Sequence, residues 1–138
     1  MKKLVYTLLA LLILSCSSSP QEKLAHINGY WEIAAIEMPD GTSRTYGMSQ
    51  NIDFFEINED GTGVRKKVQP NALGEFITSN DSENINTIIE DDILILSYTT
   101  ALDSWQETVK KASKEELILI NKDDIIYKYR RYQPLIIE

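Results

Sequence analysis

The stretch NINTIIEDDILILSYT, residues 84–99, decides the fold class. Two runs of apolar and β-branched residues flank Glu90-Asp91-Asp92, a polar triplet typical of a tight turn. Short strands joined by so short a connection pair as an antiparallel hairpin. The stretch therefore predicts two paired strands, at residues 84–89 and 93–99.

The same pattern continues outward from this hairpin, from Gly29 to the end of the chain. Short apolar or alternating runs are separated by turn residues, and no long stretch repeats with the 3.6-residue period of a helix. The other predicted strands are 30–38, 51–57, 63–69, 75–79, 104–111, 117–120 and 125–132. Residues 113–116, SKEE, fit either a short helix or a tight turn between strands.

Consecutive hairpins of this kind can close as a barrel, stack as a sandwich or remain an open meander. An open edge such as 93–96, ILIL, would pair with other molecules, and closure removes such edges. The single cysteine excludes the Cys–Trp–Cys framework of an immunoglobulin-type sandwich. We therefore predict an all-β fold over residues 29–138, an antiparallel up-and-down β-barrel of about eight to nine strands.

Residues 1–16, MKKLVYTLLALLILSC, resemble the signal of a bacterial lipoprotein. Two lysines precede an apolar run at 4–14, and Ile13-Leu14-Ser15-Cys16 has the form of a lipobox. The apolar run is shorter than the roughly 20 residues that span a bilayer. A plain secretory signal with an incidental cysteine is the alternative. The resemblance implies that residues 1–15 are a cleaved signal peptide and that Cys16 carries lipid, including palmitate. Residues 16–28 are then predicted to be a flexible tether.

The predicted mature chain is acidic, and its one cysteine is the predicted site of lipidation. Residues 1–15 contain two of the 14 basic residues and none of the 21 acidic ones, so cleavage changes the formal charge from −7 to −9. This charge argues against nucleic acid or anionic lipid as the main partner. With Cys16 lipidated, no disulfide is available. We expect a monomer that contacts the membrane through the lipid on Cys16. Its expected location is the cell envelope, at the outer membrane, facing the periplasm or the cell surface.

Motifs at both ends of the barrel region resemble a known family. Gly29-Tyr30-Trp31 opens the first strand as G-x-W, and residues 127–131, YKYRR, lie in the last one. With 53–57 (DFFEI), 61–63 (GTG) and 115–119 (EELIL), they resemble the lipocalin-like domain of small Bacteroidetes-type lipoproteins, over residues 24–132.

In lipocalins the first-strand tryptophan plugs the closed end of the barrel, and a basic residue late in the chain packs over its indole. The resemblance implies that Trp31 takes the first role and Arg131 or Arg130 the second. Side-chain alternation favours Arg131, because it shares a strand face with Tyr127 and Tyr129.

Aromatic side chains on the predicted strands are candidates for the lining of a ligand pocket. The candidates are Phe54, Phe55, Tyr98 and Trp105, with Glu107 on the same strand face as Trp105. The basic cluster 65–67, RKK, allows two interpretations. Either Lys66 points inward to an acidic ligand group, or all three side chains lie at the rim and surface.

Residue types needed for catalysis or metal binding are scarce. His26 is the only histidine, so a site built from nitrogen and sulfur ligands is excluded within one chain, and we predict neither metal nor cofactor. No catalytic constellation is recognisable, and we expect no enzyme. The predicted function is binding of a small apolar or amphipathic ligand by a membrane-anchored lipoprotein. The alternative is a filled barrel that contacts an envelope protein or glycan through its surface.

Overall fold

The computed structural model describes residues 17–134, so the predicted signal peptide and Cys16 lie outside the described residues. A short helix, α1 (Pro20–Leu24), is followed by nine strands. They are β1 (Gly29–Glu37), β2 (Ser43–Thr45), β3 (Ile52–Ile57), β4 (Thr62–Pro70), β5 (Phe76–Glu90), β6 (Ile93–Thr99), β7 (Ser104–Ala112), β8 (Glu116–Asn121) and β9 (Ile126–Arg131). Within residues 17–134, no helix is long and apolar enough to cross a bilayer.

The strands form one closed antiparallel sheet. The order is β2-β1-β3-β4-β5-β6-β7-β8-β9, and β1 also pairs with β9 from Trp31↔Arg131 to Glu37↔Ile126. This second pairing closes β1 and β3–β9 into an eight-stranded barrel, and β2 is added to the edge of β1. The predicted all-β, up-and-down, lipocalin-like barrel is confirmed.

Two local predictions about strands are wrong. The predicted strands 75–79 and 84–89 belong to one strand, β5, which bulges where the register shifts between Lys66 and Val68 of β4. Strand β2 was missed because its three residues are exposed and polar. Two alternatives were open for residues 113–116, a short helix and a tight turn. The structure has the turn, in which Ser113 N donates to the Glu116 carbonyl oxygen at 2.8 Å.

The expected tether of residues 16–28 also needs correction. Ser19 caps α1 by accepting a hydrogen bond from Glu22 N at 3.2 Å, and Pro20 occupies the first turn and is buried. Ile27 is 0 % exposed and belongs to the core. The chain is therefore packed on the barrel from Pro20 onward, ahead of the first strand.

The barrel is filled at the end where β1 begins, which we call the closed end. Inward-facing residues of the strands join Ile27 there in one apolar cluster. Its other members are Trp31, Phe55, Ile57, Ile85, Leu94, Leu96, Tyr98, Val109, Ala112, Leu117, Leu119 and Tyr129. The opposite end, where β6–β7 and β8–β9 turn, is the open end.

A second apolar cluster lies outside the barrel wall. Ile52 and Val68 are paired on the outward face, yet they are 0 % and 2 % exposed. Beyond Val68 the β4–β5 hairpin, which we call the hairpin arm (residues 68–78), brings Phe76 onto Tyr30 with ring centroids 4.2 Å apart. The outer wall thus carries apolar residues that strand alternation alone would assign to the interior.

Candidate ligand-binding site

Trp31 and Arg131 form the base of the closed end. The Trp31 side chain is fully buried, and its Nε1 donates to the Ile27 carbonyl oxygen at 2.7 Å. The Arg131 guanidinium carbon lies 3.7 Å from the centroid of the indole. Its three nitrogens Nη1, Nη2 and Nε donate to the carbonyl oxygens of Asn28, His26 and Lys114 at 3.0, 2.8 and 3.0 Å. One side chain therefore joins three segments of chain beneath the tryptophan.

The glycine of the G-x-W motif is explained by this arginine. Gly29 has φ +122°, and a Cβ placed there would lie 2.8 Å from Arg131 Nη1. A larger residue would meet the guanidinium in a backbone conformation that side chains disfavour. Glycine, tryptophan and arginine thus form one structural unit at the closed end.

Three adjoining cavities occupy the open end. The first measures about 420 Å³ and is bounded by Arg65, Trp105, Glu107 and Tyr127, among others. The second, about 400 Å³, shares Arg65 and Lys67 with it, and the third, about 320 Å³, shares Lys67 and Tyr127. We call this space the cup. Its floor is formed by Arg65 and Glu107, and its walls by Ile33, Ile36, Trp105, Tyr127 and Tyr129.

The floor of the cup is charged. Arg65 forms an ion pair with Glu83 through Nε, and its Nη1 lies 3.6 Å from Glu107 Oε2. The Tyr98 hydroxyl donates to the same Glu107 oxygen at 2.8 Å. Burial raises the pKa of Glu107 and of Tyr98, so Tyr98 is a neutral donor. Burial disfavours the charge on Arg65, but Tyr98, Glu83 and Glu107 together keep its pKa above the ordinary value, and the guanidinium stays charged.

The wall of the cup combines aromatic rings with a second ion pair. Lys67 pairs with Asp53, whose side chain is buried. Burial and the nearby Asp53 carboxylate raise the pKa of Tyr129, which stays protonated. Trp105 stacks on the buried Tyr98 with ring centroids 5.4 Å apart, so this part of the cup wall is held in place by a core residue.

The predicted pocket residues have different positions. Trp105 and Glu107 line the cup. Phe55 and Tyr98 are fully buried beneath it, where the Arg65 guanidinium lies 5.8 and 4.3 Å from their ring centroids. Phe54 points outward and packs on Tyr30 at 4.8 Å, which corrects the expectation that it lines the pocket.

Arg65 is the principal site residue that the sequence did not single out. Strand pairing places Arg65 opposite Phe55 and Lys67 opposite Asp53, on the inward face, while Lys66 lies opposite Phe54 on the outer wall. Both interpretations of the basic cluster were therefore wrong. The misleading signal was Val68, which shares a face with Lys66 because it belongs to the outer cluster.

His26 is far from the cup in the fold. It is exposed and lies at the closed end, where its carbonyl oxygen accepts from Arg131. Among residues 17–134, no group of three or more His, Cys, Asp and Glu side chains is placed to hold a metal ion. The residues that line the cup offer hydrogen bonding, ion pairing and apolar contact.

Two solved structures resemble this fold. A lipocalin-like protein from Bacteroides uniformis is 12 % identical, with a TM-score of 0.49 over 78 % of this chain and 99 % of that one. An uncharacterized protein from Bacteroides eggerthii is 14 % identical, with a TM-score of 0.48 over 77 % and 99 %. No curated protein matches the chain.

The family is established by sequence. The model of the family described as "Lipocalin-like domain" matches residues 27–119, about two thirds of the 138-residue chain. The match begins at Ile27, includes the G-x-W unit and ends within β8. The chain belongs to the lipocalin-like domain family.

Proposed function

We propose that the protein binds a small amphipathic molecule in the cup and performs no catalysis. The observation that carries the proposal is the asymmetry of the barrel: one end is filled and closed, and the other opens into a cup. The lipocalin-like fold is generally a binding fold. The largest of the three cavities, about 420 Å³, is within the range of about 300–1,000 Å³ typical of small-molecule sites.

The lining favours an amphipathic ligand over a purely apolar one. Trp105, Tyr127, Ile33 and Ile36 offer apolar and aromatic surface on the walls. A purely apolar ligand would cover the charged floor without satisfying it, and a desolvated polar group without a partner costs about 1–3 kcal/mol. A ligand with a polar end avoids this penalty.

We further propose that lipid on Cys16 anchors the protein in the cell envelope, at the outer membrane. Helix α1 packs on β6 and β7 and is joined to the closed end through Ile27. The four residue-to-residue steps from Cys16 to Pro20 span at most about 14 Å when extended. In this arrangement the closed end faces the membrane, and the cup opens away from it toward the aqueous phase.

Native mass spectrometry of the protein purified from its own envelope tests the ligand proposal. We expect an additional small-molecule mass on the wild type. Ile36→Trp introduces a large ring opposite Tyr127 in the cup and should abolish this mass. Ile77→Trp, the same exchange at a residue 60 % exposed on the hairpin arm, should retain it. Wild-type protein without any bound molecule, or equal occupancy in both variants, would contradict the proposal.

The anchoring proposal has its own test. Cys16→Ala should abolish metabolic labelling of the protein with palmitate, because the thiol that accepts lipid is absent. Labelling that persists in this variant would refute lipidation at Cys16.

A second candidate function is supported by the hairpin arm. Leu73 and Ile77 are 82 % and 60 % exposed there, and a separate cavity of about 480 Å³ lies beside the arm on the outer wall, bounded by Pro70 and Tyr132. Exposed apolar groups of this kind are typical of interaction surfaces. The protein would then contact an envelope protein or glycan. Partner capture that is lost in Leu73→Ser/Ile77→Ser, with no ligand ever found in the cup, would favour this alternative.

A further inference from the structure

Arg65 is an unusual group to find inside a barrel. Its side chain is only 10 % exposed and extends from the middle of β4 over the Tyr98 ring, 4.3 Å from the ring centroid. Burying a charge is costly unless the charge is paired and hydrogen-bonded. The question is therefore which groups satisfy its five N–H donors.

Hydrogen bonds within residues 17–134 satisfy only one of these five donors. Nε donates to Glu83. Among the hydrogen bonds of residues 17–134, none uses Arg65 Nη1 or Nη2. Glu107 Oε2 lies 3.6 Å from Nη1, beyond hydrogen-bond length, and accepts instead from the Tyr98 hydroxyl at 2.8 Å.

The end of the guanidinium that makes no hydrogen bond, Nη1 and Nη2, faces open space. Arg65 lines both the 420 Å³ and the 400 Å³ cavities. Its Nη1 and Nη2 make no hydrogen bond and are not among the buried unpartnered polar atoms of residues 17–134, so they are accessible from the cup. A guanidinium edge presents parallel N–H donors that match the two oxygens of an acid group. Two further cations line the first cavity: Lys67, which pairs with Asp53, and Lys122, whose neighbour Asp123 lines the same cavity.

We infer that the ligand of the cup is an anionic amphiphile, a molecule with one acid group on an apolar or aromatic body. The acid group binds the Nη atoms of Arg65, and the body lies along Trp105 and Tyr127. This inference rests on the proposed function, because it requires the cup to be a ligand site. Glu107 competes with the ligand for Arg65, and removing its charge should strengthen binding of the anion.

A matched pair of fluorescent probes tests the inference. Anilinonaphthalene sulfonate is anionic, and N-phenylnaphthylamine has the same ring system without the sulfonate. Dissociation constants of both probes are measured on a chain that starts at Ser17, which contains every described element and the complete core, and whose cooperative unfolding is checked first. The ratio of the two constants isolates the contribution of the acid group.

The key variant is Arg65→Gln/Glu107→Gln, compared with Glu107→Gln. Arg65→Gln alone leaves the Glu83 and Glu107 carboxylates without their cation and can fail to fold. The double variant removes one charge of each sign, keeps an acceptor for the Tyr98 hydroxyl, and leaves only the partly exposed Glu83 without its cation. A charged hydrogen-bonding contact of about 1.5–3 kcal/mol corresponds to about ten- to hundredfold in affinity.

We expect three results. The sulfonate binds about tenfold or more weakly to the double variant than to Glu107→Gln, while the neutral probe changes by less than about threefold. Glu107→Gln alone binds the sulfonate more tightly than the wild type. Lys110→Gln, which removes an exposed charge from β7, leaves both probes within about twofold.

Failure of the inference and failure of the proposed function are distinguishable. The neutral probe could bind and be blocked by Ile36→Trp while sulfonate affinity shows no dependence on Arg65. The cup would then bind ligands, but the inference that Arg65 selects an anionic ligand would be refuted. If Ile36→Trp blocks neither probe and Arg65→Gln/Glu107→Gln weakens neither, the cup is not a ligand site, and both proposals fail.

Discussion

Replacing Arg131 by methionine should destabilise the barrel substantially. Methionine keeps apolar contact with the indole of Trp31 but removes the cation and its donors. A cation 3.7 Å from an indole centroid contributes about 0.5–2 kcal/mol. The three hydrogen bonds to carbonyl oxygens are partly exposed, so water can replace the donor, and each is worth about 0.5 kcal/mol at the low end of the usual range. We therefore expect a loss of about 2–3.5 kcal/mol in the free energy of unfolding.

Urea unfolding followed by tryptophan fluorescence measures this loss, because Trp31 is fully buried in the native state. Arg131→Lys keeps a charge but cannot reach three carbonyl oxygens, and it should lose about half as much. Lys128→Met is the matched control. Its ion pair with Glu37 joins two side chains that are each 36 % exposed, and such pairs contribute less than about 1 kcal/mol. If Arg131→Met loses no more stability than Lys128→Met, the guanidinium does not stabilise the closed end.

Three further predictions concern other parts of the molecule. Gly63→Ala should cost about 3 kcal/mol, because its Cβ would collide with the Glu56 backbone, whereas Gly47→Ala, with open space around it, should be nearly neutral by thermal unfolding. Asn28→Ala should cost about 2 kcal/mol in urea, since the Asn28 amide makes two hydrogen bonds with the Ile57 backbone, at 2.7 and 3.1 Å; a loss below about 0.5 kcal/mol would contradict this. Sulfonate affinity should fall as pH rises from 4.5 through the raised pKa of Glu107, because deprotonation restores a carboxylate that competes for Arg65, and Glu107→Gln should flatten the curve measured by titration at each pH.

Burial and four neighbouring groups set the pKa of Glu107. Burial raises its pKa, and the charges of Glu83 on β5 and Asp53 on β3 raise it further. Arg65 on β4 and the Tyr98 hydroxyl on β6 act in the opposite direction. A flat profile in the wild type would show that Glu107 does not compete with the bound anion.

Most of the barrel could be predicted from the pattern of apolar residues. Alternating runs with short turns between them specify antiparallel hairpins, and the cost of open edges favours closure. The apolar pattern failed at strand residues that are themselves polar. Strand β2 is exposed and polar, so nothing in its alternation marks it, and the polar residues of the β5 bulge looked like a turn. For α1 the signal was present, since Ser19-Pro20-Gln21-Glu22 places a capping serine before a first-turn proline.

The site was harder to predict than the fold because it depends on which face of each strand is inward. Adjacent Phe54 and Phe55 point to opposite sides of the wall, and sequence alone does not say which one is inside. The outer cluster made the inward face harder to identify, because Val68 is apolar and buried although it lies on the outward face. Both interpretations of the basic cluster therefore placed Arg65 at the rim or surface, although it is the most buried of the three residues 65–67.

The most direct test of ligand binding in the cup is an amide chemical-shift titration of the isotopically labelled chain with anilinonaphthalene sulfonate. The largest shifts should fall on residues that bound the cup: Ile33, Ile36, Arg65, Lys67, Trp105, Glu107, Tyr127 and Tyr129. Residues of the hairpin arm and the closed end should remain unchanged. Shifts that concentrate on the arm around Leu73 and Ile77, or the absence of saturable shifts in the cup, would contradict a ligand site at the open end of the barrel.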